Sequence, residues 1–127
     1  AAEKVYRAFF AQDALLMNSG GLATPEIRLL LAGPMIDQYE KDKQYQHDAG
    51  VTGIGEIKLV YVRPSAAELH PGSEIALESC YDGTAVTGFV DGKESGKGSN
   101  IKSTAFLTRV DGQFKIWWTE GKKAPSC

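Results

Sequence analysis

Apolar positions recur every three or four residues up to about residue 48 and every two residues thereafter. That change of period divides the chain into a helical first part and a strand-rich remainder. Ala2, Val5, Tyr6, Phe9, Leu16 and Met17 share one face of a helix over Ala2 to Met17, and Asn18-Ser19-Gly20-Gly21 ends it. Asp13 interrupts this face near its middle. Thr24-Pro25-Glu26 is a second helix start, with a capping hydroxyl, proline in the first turn and an acid behind it. Ile27, Leu30 and Leu31 form its short apolar side before Gly33-Pro34. A third helix is expected from Pro34 to about His47, with Met35, Ile36 and Tyr39 on one side and Asp37, Glu40, Lys41 and Lys43 elsewhere.

After Asp48-Ala49-Gly50 the alternation of strands takes over. Ile57, Leu59 and Tyr61 alternate with Glu56, Lys58, Val60 and Val62, and Pro64 closes that strand. A loop over Ser65 to Gly72 follows. Ile75, Leu77, Ser79 and Tyr81 then alternate with Glu74, Ala76, Glu78 and Cys80, up to a turn at Asp82-Gly83. Thr84 to Val90 is a third strand, and the Gly-, Ser- and Lys-rich run from Lys93 to Asn100 is expected to be a mobile loop. Ile101 to Val110 and Gln113 to Glu120 are strands joined by Asp111-Gly112, a strong short hairpin signal. Helices first and strands afterwards predict a single α+β domain over residues 1–127, with the N-terminal helices packed on a curved antiparallel sheet.

Composition excludes several classes. The 127 residues suffice for one core, and 24% charged residues summing to a formal −2 provide no basic stripe, so no nucleic-acid partner is expected. No apolar run reaches the roughly 20 residues needed to span a bilayer. The chain begins at Ala1 rather than Met, and a signal, lipid anchor or single span is expected to have preceded it. Any membrane association would run through such a segment.

The only cysteines are Cys80 and Cys127. They are far apart and lack metal-ligand spacing, so they are either two unrelated thiols or a disulfide. A thiol on the last residue has no packing role, whereas a bond there ties back the tail over residues 121–127. We read a disulfide, and with it an extracytoplasmic location. Cys80 shares its face with Glu74, Ala76 and Glu78, which puts the bond on the outer side of the sheet.

The Tyr6 to Phe10 run in the first helix resembles members of the nuclear transport factor two-like superfamily. So do Cys80-Tyr81-Asp82, the hairpin from Arg109 to Ile116 and the terminal Cys127. More narrowly, they are similar to small exported or lipoprotein-type domains of actinobacteria and their phages. The resemblance implies a cone-like fold, and in the enzymes of that superfamily a carboxylate inside the cone. It does not choose among their activities.

Candidate chemistry is sparse. Asp13 is the one acid on an apolar helical face. It is either a rim carboxylate hydrogen-bonded to backbone or the acid or base of an isomerase- or cyclase-like enzyme. Phe9, Asp13, Tyr39, Leu59, Tyr61 and Trp118 are the candidate pocket residues; Tyr39, Tyr61, Tyr81 and Trp118 serve equally as core. His47 and His70 are read as exposed at element ends, Asp37 and Asp42 as a solvated face, and Asp82 as a turn former. Adjacent Trp117 and Trp118 point to opposite faces of a regular strand, leaving one on the outer face for a protein partner or homodimer. No metal-ligand cluster, phosphate-binding glycine motif or nucleophile elbow is present, and no cofactor is implied. The leading expectation is a non-enzymatic exported accessory or interaction domain. A small-molecule binder or enzyme is the alternative, and a structural subunit of an envelope complex is a third.

Overall fold

The computed structural model describes all residues, 1–127. Three helices come first: α1 (Ala2–Ser19), α2 (Pro25–Arg28) and α3 (Pro34–Asp48). α1 buries Ala2, Tyr6, Phe9 and Leu16 and ends where the Gly20 N–H, in the left-handed region at φ 69°, donates to Leu16 O at 2.8 Å. The Thr24 hydroxyl accepts from the Ile27 N–H at 3.2 Å and starts α2, which drives Ile27 into the core with no exposed surface. α3 buries Met35, Tyr39 and Lys43, which lie at four-residue steps along one face. Lys43, placed off the apolar side in the sequence, is only 7% exposed.

Seven strands follow: β1 (Val51–Ile54), β2 (Lys58–Pro64), β3 (Ile75–Asp82), β4 (Thr87–Val90), β5 (Lys93–Lys97), β6 (Asn100–Val110) and β7 (Gln113–Ala124). All strand pairs are antiparallel, and the expected α+β class holds. The strands divide between two sheets, ordered β1-β4-β5 and β2-β3-β6-β7, so the run from Cys80 to Cys127 is not one continuous meander. Two elements differ from expectation. β1 is a strand where only a helix ending was read, because four residues containing Gly53 carry too little alternation. Lys93 to Lys97 is a strand and not a mobile loop; Asp91 (φ 52°) and Gly92 (φ 80°) form a two-residue turn that returns β5 onto β4. Asp111 and Gly112 repeat that geometry between β6 and β7.

Two bulges reassign faces. β2 slips between Leu59, which opposes Tyr81, and Tyr61, which opposes Cys80. Leu59 therefore faces the helices, Tyr61 faces away from them, and Val62 returns to the core. A second slip pairs Leu107 with Ile116 but Phe106 with Trp118, leaving Trp117 as the extra residue. The Trp117 ring lies at the β7 edge between Gly33 and Gly72, and its Nε1–H donates to Pro71 O at 2.9 Å. Both glycines have positive φ, and a methyl group on either would overlap the ring. The edge itself is occupied: the Ile116 N–H donates to Leu30 O at 2.8 Å and the Ala32 N–H to Ile116 O at 2.9 Å.

The core lies between the helices and the four-stranded sheet, where Ile27, Leu107 and Ile116 are wholly inaccessible. Each contributes about 1.5–3 kcal/mol by burial. On the other side of the sheet, His70 stacks on Trp118 with ring centroids 5.4 Å apart and lies 5.8 Å from Phe106. His70 is half-buried, not exposed as expected from its place at an element end.

Candidate functional site

The register of the four-stranded sheet explains where space is left. On its helix-facing side, Ile75, Leu107 and Ile116 form one rung and Leu77, Ala105 and Thr119 the next. The third rung holds Ser79, Ser103 and Gly121. Large side chains fill the first rung against the helices; the third is too small to do so. A cavity of about 480 Å³ opens beside it, large enough for a small organic molecule.

α1 supplies Tyr6, Phe9, Phe10, Asp13, Ala14 and Met17 to its wall, and α3 supplies Met35, Tyr39, Asp42, Lys43 and Gln46. Val51, Thr52 and Gly53 of β1 close one side, with Tyr81, Ser103 and Thr119 on the sheet. Gly53 lets the neighbouring side chains come close: a Cβ would stand 3.0 Å from both Met17 Cγ and Val86 Cγ1.

The polar end of the cavity is built around Asp13. Its Oδ1 accepts from the Tyr39 hydroxyl at 2.6 Å and from Lys43 Nζ at 2.9 Å. Lys43 also donates to Gln46 Oε1 at 3.3 Å, and its ammonium lies 5.4 Å from the Tyr39 ring centroid. The Lys43 side chain is 9% exposed and that of Asp13 is 39% exposed, so the pair runs from the interior to the rim. A buried ammonium without a carboxylate would be strongly unfavourable. Asp13 therefore breaks the apolar pattern of α1 as the counter-charge of Lys43, and its partners are side chains, not the backbone group expected at a rim.

Three tyrosines border the same space. Tyr6 and Ser79 share a hydrogen bond of 2.8 Å between their hydroxyls. Burial pushes the Tyr6 hydroxyl above the usual phenol range, against the Ser79 hydrogen bond. The Tyr39 hydroxyl is raised strongly by burial, then by the Asp13 charge and the hydrogen bond given to it. Tyr81 is pushed up to about 12 by burial, with smaller contributions from Tyr6 and Asp13. All three are neutral at physiological pH, able to give and accept hydrogen bonds but not to act as bases.

Of the residues expected to form a pocket, Phe9, Asp13 and Tyr39 come together at the cavity. Leu59 packs against the core. Tyr61 and Trp118 lie on the opposite side of the sheet, and in both cases a bulge turned the side chain away from the face that a period of two assigns. Sequence reasoning missed Lys43, Phe10, Ser103 and Thr119. The four-residue step from Met35 through Tyr39 to Lys43 was the available signal for the lysine; a low-volume rung across three strands has no local signal. His47 is exposed and pairs with Gly20 O at 2.9 Å, and Asp82 accepts from the Thr84 N–H and hydroxyl as a turn residue does.

Cys80 and Cys127 form a disulfide, with their Cα atoms 5.6 Å apart. Cys80 is fully buried on the side of the sheet away from the helices, where Tyr61 and Lys102 oppose it. It is remote from the cavity. No helix is long and apolar enough to cross a membrane.

No protein-family model and no curated protein matches the chain. Its fold is similar to the crystal structure of the intermembrane space region of the chloroplast protein ARC6, with a TM-score of 0.54. That match covers 97% of this chain and 95% of the other at 14% identity. A likeness at that identity defines a class of α+β fold and carries no activity with it.

Proposed function

We propose that this protein is an extracytoplasmic binding domain that holds a small amphipathic molecule between its helices and its four-stranded sheet, without turning it over. The observation that carries this reading is the open cavity of about 480 Å³ whose apolar walls end in a fixed polar cluster. Aromatic walls with a few placed hydrogen-bonding groups are the usual make-up of a small-molecule site. The disulfide supports the oxidising compartment. The order of helices and strands supports assignment to the cone-like nuclear transport factor two-like folds.

The commitments of Asp13 favour a binding role over acid–base turnover. One carboxylate oxygen already receives both a phenol and an ammonium. That oxygen is the anchor of the Lys43 ammonium and the Tyr39 phenol, which gives Asp13 a structural task in the cavity wall. A partner docked on the outer face of the sheet is the weaker reading, because Trp118 is half-buried there beneath His70.

The test is a fragment screen by two-dimensional NMR on the oxidised protein, paired with the Ala14→Phe variant, which adds bulk to the cavity wall on α1. Fragments are expected to shift resonances of Phe10, Tyr81 and Ser103 in the wild type and to lose binding in the variant. Shifts confined to the outer face, or binding indifferent to Ala14→Phe in a folded variant, would count against the proposal.

A further inference from the structure

Resting on the binding reading above, we infer that the cavity selects an organic cation, an ammonium carried on an apolar or aromatic body, over neutral and anionic molecules of the same shape. The charge inventory of the wall is short. Asp13, Asp42 and Lys43 are its only charged residues, two negative and one positive, for a net −1. Lys43 is matched to Asp13 at 2.9 Å. Asp42, exposed at the rim, accepts only from the neutral Gln38 amide at 3.0 Å and belongs to no ion pair. An anion entering here finds no unmatched cation in the wall. A cation finds the unneutralised carboxylate at the rim.

Beyond the rim lie aromatic walls. Phe10 and Tyr81 stand 5.2 Å apart and Phe9 and Tyr39 5.5 Å apart, centroid to centroid. Their faces are electron-rich, and the tyrosines stay neutral phenols, so the walls attract a cation without binding an anion. The protein already uses this combination internally. The Lys43 ammonium rests 5.4 Å from the Tyr39 ring and 2.9 Å from a carboxylate. Phe10, Tyr81 and Asp42 all line the cavity and bring aromatic faces and a carboxylate to a ligand there.

Three probes of similar size separate the possibilities: benzyltrimethylammonium, its neutral carbon isostere neopentylbenzene, and the anion 4-phenylbutyrate. Each is titrated into the whole oxidised chain and followed by the amide resonances of Phe10, Tyr81 and Ser103. The cation is expected to bind about three- to tenfold more tightly than the isostere, with the anion weakest. Asp42→Asn should reduce the cation's affinity about two- to fivefold and leave the isostere unchanged. Phe10→Leu should narrow the gap between cation and isostere while the protein stays folded. Equal binding of cation and isostere in the cavity, or tighter binding of the anion, would overturn the cation preference and leave the cavity's binding role intact. Failure of all three probes to move these resonances, the two ions at millimolar concentration and the hydrocarbon at its solubility limit, would overturn both.

Discussion

Replacing Cys127 by serine removes one bond at an exposed residue and little else from the folded state. Cys127 is at the surface, and β7 is already paired to β6 through the Ala124–Asn100 position. The effect should therefore lie mainly in the unfolded chain, which regains the freedom of a loop spanning 47 positions between Cys80 and Cys127. Loop-closure entropy for that length amounts to about 4 kcal/mol at 25 °C. Spread over the unfolding entropy expected for a chain of this length, that loss lowers Tm by roughly 15 °C. Urea denaturation followed by tryptophan fluorescence reports both ΔG and m. We expect ΔG to fall by the stated amount and m to rise, since an uncrosslinked chain exposes more surface on unfolding. Reduced wild type should match the serine variant and thereby exclude an effect of the substituted side chain. A loss below about 1 kcal/mol, with m unchanged, would refute the reasoning, because it would mean that the crosslink does not restrict the unfolded ensemble. The expected loss is a large part of a typical domain's stability.

Asp13→Ala should destabilise the protein by about 1–3 kcal/mol in thermal or urea unfolding, a range reduced by the partial exposure of the carboxylate. Adding Lys43→Met to that variant should restore most of the loss, and absence of rescue would show that the pair is not coupled. Gly33→Ala and Gly72→Ala should each cost more than about 2 kcal/mol, because each adds a methyl group against the Trp117 ring at a positive φ; circular dichroism melts decide this, and a neutral result would mean that the ring can move aside. Tyr6, Tyr39 and Tyr81 all have hydroxyls raised above their unfolded value. Their contribution to stability is complete below the unfolded phenol range, near pH 10, and is lost as pH rises from there through about 12, where Tyr81 ionises in the folded protein. Absorbance at 295 nm should show these three lagging until unfolding, and five simultaneous phenol titrations in folded protein would contradict the burial assigned to them.

Local signals determined much of this protein. The period of the apolar positions, the Thr24-Pro25 start, the Gly20 stop and the Asp-Gly turns each act within a few residues, and they predict the three helices, the β6–β7 hairpin and the α+β class. The alternation around Cys80 also sets the disulfide on the sheet's outer side. What tertiary structure alone decided is where that alternation fails and where volume is missing. A bulge is a mismatch between two strands, so the slips at Tyr61 and Trp117 that remove Tyr61 and Trp118 from the interior are invisible within either strand by itself. The allocation of β4 and β5 to a sheet with β1 depends on pairing between segments more than 30 residues apart. The cavity depends on Tyr81, Ser103 and Thr119 coming from three strands to one wall, and Asp13 acquires its meaning only when Lys43 folds against it from another helix. Neither the space nor the pairing is a property of any one stretch of chain, because both arise from side-chain sizes and charges that only packing brings together.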